Sequence, residues 1–212
     1  MGFTMARGYV VHLVDPDADA CSQWARMLTD AGYEIRSFAS AGVFLARGLP
    51  ARPDCVVAEA MLGKRGGLEL QARMRELDPG VPVVFASAGA DIRTIVHAMR
   101  AGAVDFLEKP VLGPALLDAV QRAVDKSCAF RAAEWRRTSS MERLGRLTPR
   151  ERAIFAQVLQ GRLNKQIAAA LECQEATVKV HRSRLMRKLG VRSLVRLVQF
   201  GQDVGLDQPV IE

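Results

Sequence analysis

Four side chains in the first half of the chain each close or follow a short apolar run: Asp15, Glu59, Ser87 and Lys109. Brought together, they would make a polar crevice of two carboxylates, a hydroxyl and an ammonium. A second constellation lies near the C-terminus, where Lys179, Arg184 and Arg187 recur at helical spacing with Val180 and Ser183 between them. Cations at that spacing suit a polyanion. Other chemistries lack their residues. Cys21, Cys55, Cys128 and Cys173 are scattered, no pair is spaced CxxC, and His12, His97 and His181 lie far from them in sequence. No zinc or other metal site is expected, and the thiols read as free cysteines in a reducing cytoplasm. No nucleophile–base set is visible, so neither an enzyme nor a cofactor is expected.

The elements that must position the first constellation alternate. Tyr9–Val14, Glu34–Phe38, Cys55–Ala58, Val83–Ser87 and Asp105–Glu108 read as strands. Cys21–Ala31, Ala41–Arg47, Leu68–Leu77, Ile92–Ala101 and a segment from Pro114 onward read as helices. Gly32, Gly48, Gly80 and Gly102 fall just past helix ends, where left-handed φ is expected. Such alternation predicts a parallel sheet covered on both faces, with its ligand site at the carboxyl ends of the strands. That rule gathers Asp15, Glu59, Ser87 and Lys109 around one crevice. From Pro114 the helical pattern continues to about Arg137, with a break expected at Thr138-Ser139-Ser140. Trp135, in a basic stretch, is expected to pack against a domain or a partner helix.

The second half opens with a helix start. Thr148 is the N-cap, Pro149 stands at the first helical position and Glu151 completes a capping box. Further helices are expected over about 164–171, 175–189 and 194–204. At about 100° per residue, Val178, Leu185 and Leu189 form one buried stripe of the third helix. Lys179, Val180, Ser183, Arg184 and Arg187 face the other way, flanked by His181 and Lys188, and no acid follows Glu175 on this helix. A face of this kind suits insertion into the major groove of double-stranded DNA. Charge is divided the same way. Residues 1–125 hold 13 Lys and Arg against 15 Asp and Glu, a net −2, while residues 126–212 hold 17 against 8, a net +9. No apolar run is long enough to span a bilayer. Neither a signal peptide nor a myristoylation motif at Met1-Gly2 is expected, with Ala6 where Ser or Thr would stand. A cytoplasmic location follows.

VHLVDPD, CVVAEAMLGKRGGLEL, VPVVFASAGAD and MRAGAVDFLEKP together resemble the receiver domain of FixJ/NarL-type response regulators. The resemblance implies an α/β, flavodoxin-like, doubly wound five-stranded domain. It also implies an acidic pair and a phosphoacceptor Asp that bind magnesium and take a phosphoryl group, plus a hydroxyl residue, an aromatic and a Lys that respond. Asp15, Ser87, Phe106 and Lys109 match that pattern. Two positions break it. Pro16 stands where a magnesium-ligating acid is usual and has no side-chain oxygen. Glu59 stands where the phosphoacceptor Asp is usual, one methylene longer, and misplacement of this size costs in-line transfer about a hundredfold. Gly63 also replaces a usual Pro. Three readings of Glu59 stay open: a retired pocket in which it pairs with Lys109, a permanent negative charge that imitates phosphate, or phosphorylation by an unusual route.

LTPRE, NKQIA, TVKVH and MRKLGVRS resemble the LuxR-type (GerE-like) helix-turn-helix domain, a small all-α four-helix unit. By that resemblance Lys165 contacts phosphate, and Thr177, Lys179, Val180, His181, Ser183, Arg184 and Lys188 face DNA. Leu163 replaces a usual capping Ser, which gives Asn164 the cap. Glu172 replaces a turn Gly, and Gln174 replaces an N-cap Ser. The resemblance gives the last helix a role in dimerisation. Leu194, Leu197 and Val198 would cover its own domain, while Val195 and Gln199 would meet a second copy. The expected organisation is a receiver domain over 1–125, a helical linker over 126–143 and a DNA-binding domain over 144–212. The expected function is sequence-specific transcription regulation that does not depend on phosphorylation, by a homodimer on DNA. The alternative makes the degenerate receiver a docking module for a protein partner or a small ligand.

Overall fold

The computed structural model describes residues 8–47, 54–62 and 66–206. Met1, Gly2, Ala6, Gly48 and Gly63, named above, lie outside those residues. The chain divides into two units, Met1–Arg131 and Ala132–Glu212.

In the first unit β1 (Val10–Val14), β2 (Glu34–Phe38), β3 (Asp54–Ala58), β4 (Val83–Ser87) and β5 (Asp105–Glu108) form one parallel sheet in the order β2-β1-β3-β4-β5. β1 and β4 are buried along their whole length. Such continuous apolar runs are what a strand covered on both faces needs. One face packs Val11, Leu13, Val57 and Val84 against Trp24 and Leu28 of α1 (Ala18–Asp30) and Leu116 and Val120 of α5 (Gly113–Gly145). The other packs Val14, Val56 and Phe85 against Phe44 of α2 (Ala41–Arg47), Leu70 and Met74 of α3 (Gly66–Leu77) and Ala98 of α4 (Ile92–Arg100). The strand order reverses between β1 and β3, so the crevice opens at the carboxyl ends of those strands.

α5 differs from expectation. It runs without a break through Thr138-Ser139-Ser140 to Gly145. Nothing in this stretch removes a backbone donor as Pro would, and Ser140 is buried, its hydroxyl accepting a hydrogen bond from Arg143 at 3.2 Å. Contacts with the first unit also continue past residue 125. The Ser127 hydroxyl donates to the Gly80 carbonyl at 2.8 Å, and Arg131 pairs with Asp78. Gly80 itself is not left-handed. A Cβ there would lie 2.5 Å from Phe130 Cδ1, so close approach by α5 demands the glycine. Gly32 and Gly102 do take positive φ, 94° and 95°.

The second unit holds α6 (Pro149–Leu159), α7 (Asn164–Ala170), α8 (Glu175–Leu189) and α9 (Leu194–Asp203). Phe155, Ile167, Val178, Leu185, Leu189 and Leu197 share one core. Leu197 is buried as expected, but Leu194 stays half exposed.

Candidate functional site

The carboxyl ends of β1, β3, β4 and β5 bring Asp15, Glu59, Ser87 and Lys109 together. Lys109 Nζ donates to Asp15 Oδ2 at 2.6 Å and to Glu59 Oε2 at 2.8 Å. Glu59 Oε1 accepts from the Ser87 hydroxyl and, at 3.0 Å, from the Met61 backbone N–H. One carboxylate therefore engages both the hydroxyl and the ammonium. All four groups are withdrawn from water: Asp15, Glu59 and Ser87 are buried, and Lys109 is largely so. Burial alone would push the Glu59 carboxyl up. The hydrogen bonds from Lys109, Ser87 and Met61 and the Lys109 charge outweigh it and hold the group below the ordinary glutamate value. Burial likewise works to lower Lys109, and its bonds to Asp15 and Glu59 leave it raised. The ammonium also lies 5.3 Å from the centroid of the Trp24 ring, a cation–π contact. Trp24 went unnoticed as a site residue because its spacing along α1 reads as core.

These donors do not fit a divalent cation. Pro16 offers no oxygen. Asp15 Oδ1 accepts the Asp17 N–H at 2.9 Å and Oδ2 is held by Lys109. The Asp17 side chain caps α1 by accepting from the backbone of Asp19 and Ala20. Hard-cation sites need several free oxygens, and here the ammonium sits between the carboxylates. Phe106 is half-buried and packs 5.8 Å, centroid to centroid, from Phe85.

In the second unit the capping box at Thr148 and Glu151 is complete. On α8, Val178, Leu185 and Leu189 are buried, while Thr177, Lys179, Val180, Ser183, Arg184 and Arg187 are exposed, and so is Lys165 on α7. Two residues are less free than expected. Lys188 Nζ donates to the buried Glu151 Oε2 at 2.6 Å, which turns it toward the start of α6. His181 is half-buried, and its Nδ1 has no hydrogen-bond partner among the described residues. Arg182, not singled out from sequence, lines a groove of about 770 Å³ with Lys179, Ser183 and Arg187. Its guanidinium donates to Asn164 Oδ1 at 3.0 Å.

Asn164 is therefore not the cap. Leu163 occupies the N-cap position of α7 without a side-chain bond. Gln166 Oε1 instead accepts the Leu163 N–H at 2.8 Å, half of a capping box. Gln174 caps α8 in backbone geometry only. Val195 and Gln199 are exposed on α9.

Known proteins share both units. Residues 11–121 match the family described as "Response regulator receiver domain", and residues 145–200 match "Bacterial regulatory proteins, luxR family". The chain is 33% identical to Nodulation protein W of Bradyrhizobium diazoefficiens over 93% of this chain and 87% of that protein. It is 34% identical to Transcriptional regulatory protein FixJ of Rhizobium meliloti, over 90% of this chain and 94% of that protein. Among solved structures, that of the response regulator StyR is similar with a TM-score of 0.81 at 36% identity, covering 92% of this chain and 98% of that one.

Proposed function

The chain belongs to the FixJ/NarL-type response regulators, transcription regulators with a LuxR-type DNA-binding domain, and from that membership we propose that its regulation is independent of phosphorylation. The observation that carries this reading is the Glu59 carboxylate, which engages Ser87 through one oxygen and Lys109 through the other. These are the groups that the family resemblance assigns to the transferred phosphate. A resident carboxylate on both supplies a standing negative charge, so Glu59 imitates the phosphorylated state and the receiver is held ready. Phosphoryl transfer would need a metal to neutralise charge on the phosphoryl group, and the oxygens of Asp15 and Glu59 are already committed.

The same reading makes the exposed face of α8, with Lys165 on α7, the DNA-binding surface, with residues 1–125 as receiver, 126–143 as connection and 144–212 as DNA-binding domain. It also makes the protein a homodimer. Ile92, Val96 and Met99 stand exposed on α4, and an apolar helix face of this kind suits self-association.

Incubation with acetyl phosphate, or with beryllofluoride and magnesium, should change neither oligomeric state nor operator affinity. A phosphoprotein signal at Glu59, or a magnesium-dependent change in dimerisation, would overturn the proposal.

A further inference from the structure

The second unit has a concave site past the C-terminal end of α8, which shares Gly190, Val191 and Arg192 with the groove beside Lys179, Ser183 and Arg187. Arg136 and Arg143 from α5, Arg192 just after α8 and Arg196 from α9 line a pocket of about 490 Å³. Its one lining carboxylate among the described residues is Asp203. Four guanidinium groups from three segments around so little negative charge would repel one another unless an anion joins them.

One of the four is fixed in advance. Arg143 donates to the Leu189 carbonyl at 3.0 Å, the Ser139 carbonyl at 3.2 Å and the Ser140 hydroxyl at 3.2 Å. Its guanidinium carbon lies 5.2 Å from the centroid of the Phe200 ring. A guanidinium has five N–H donors, so this side chain is held in place and still has donors to offer. Arg136 and Arg192 are exposed and have no ion-pair partner among the described residues. The Arg196 guanidinium is exposed and, among the described residues, bonds only the neutral Gln199, at 3.3 Å. Guanidinium forks match phosphate oxygens in geometry as well as charge.

We propose that this pocket binds a small ligand carrying a linear chain of phosphates. A single small anion would leave most of the four cations unmatched, whereas a run of phosphates meets several in sequence. The volume falls within the usual range for small-molecule sites. The exposed face of α8 runs from Thr177 to Arg187, and the pocket begins at the Gly190 cap just beyond it, so Arg136, Arg143 and Arg196 are the guanidinium groups that line this pocket and not the α8 groove. Gln199 lines the pocket and also belongs to the proposed α9 pairing face, so a bound polyphosphate would screen Arg196 where two copies approach. The proposal stands apart from the role given to Glu59.

Titration of the full-length protein with inorganic tripolyphosphate, followed by calorimetry without DNA, tests it. Binding near one per chain is expected. Arg192→Gln with Arg196→Gln should weaken it by at least about tenfold, as loss of charge-assisted hydrogen bonds implies, and so should Arg136→Gln with Arg196→Gln, which leaves Arg192 of the α8 groove in place. Lys179→Ala with Arg184→Ala should leave it intact. If the α8 pair abolishes tripolyphosphate binding and the pocket variants do not, the ligand is simply sampling the DNA face and the proposal fails. It fails equally if the pocket variants leave tripolyphosphate binding unchanged but flatten the salt dependence of DNA binding, since the arginines would then be contacts to the duplex backbone.

Discussion

At the scale of residues, the energetics of the pocket turn on where each proton sits. The Glu59 carboxyl lies below its ordinary value in the folded protein, so its bonds stabilise the fold fully above about pH 4.3 and are lost as pH falls through the lower folded value. Lys109 is raised, so its contribution is complete below about pH 10.4 and lost as pH rises through the higher folded value. Glu59→Gln should therefore cost about 1–3 kcal/mol in urea unfolding, with the same difference from wild type at pH 5 and pH 7. The difference should shrink below the glutamate range. A difference constant down to pH 3 would mean that Glu59 contributes shape and not charge. The α8 face allows a similar separation by residue. Lys179→Ala and Arg184→Ala should each weaken operator binding by about 1–3 kcal/mol if they read bases. Lys165→Ala should weaken all duplexes alike and reduce the salt slope, because a phosphate contact carries no base information. Lys188→Ala should act chiefly on the stability of the domain, since its partner is the buried Glu151. Equal operator affinity for Lys179→Ala, Arg184→Ala and wild type would end the assignment of α8 to the groove.

At the scale of elements, what was legible in the sequence was what depends on near neighbours. The alternation of apolar runs, the capping box at Thr148 and the stripe on α8 all repeat within one or two turns, and the corresponding elements stand close to where those patterns put them. What was missed depends on contacts between distant segments. The unbroken course of α5 through Ser140 follows from burial of that hydroxyl, and Gly80 is demanded by Phe130, fifty residues later in the chain. Lys188 looked like a DNA-facing cation because Glu151, its partner, lies on another helix. Trp24 is core, and its added contact with Lys109 joins residues 85 positions apart, which no near-neighbour pattern shows. The turn between α7 and α8 gives a direct test of the local reasoning. Glu172 has φ 50°, its N–H bonds the Ala169 carbonyl, and the Cys173 N–H bonds the Ala168 carbonyl. This is a helix stop built on a left-handed residue. Glu172→Gly should remove the steric cost of that conformation and raise the stability of the DNA-binding domain by about 1 kcal/mol, less the entropy a glycine adds to the unfolded chain. Thermal unfolding of the two proteins checks it, and a lower midpoint for the glycine variant would show that the Glu172 side chain contributes more than its backbone costs.

At the scale of the whole molecule, the question is how much of the assembly Glu59 controls. The surface that α9 offers a second copy is small. Val195 is 76% exposed and Gln199 lies beside it, but Arg196 shares that helix and would face its own counterpart across a two-fold axis. Pairing through α9 alone should therefore be weak, and the receiver must supply the rest. Its α4 carries Ile92, Val96 and Met99 in the open and packs against β5, the edge strand that holds Phe106. If the bonds from Glu59 to Ser87 and Lys109 hold that face in its associating form, the full-length protein should sediment as a dimer at micromolar concentration without any phosphodonor. Glu59→Ala, which leaves Ser87 without its acceptor and Lys109 with Asp15 alone, should then weaken the dimer. It should also lower affinity for a pseudo-palindromic operator whose half-sites lie about one helical turn apart. Wild type that stays monomeric on that operator would defeat the dimer. A dimer indifferent to Glu59→Ala would keep the assembly but remove Glu59 from its control, leaving the carboxylate as the partner of Lys109 in a pocket that no longer signals.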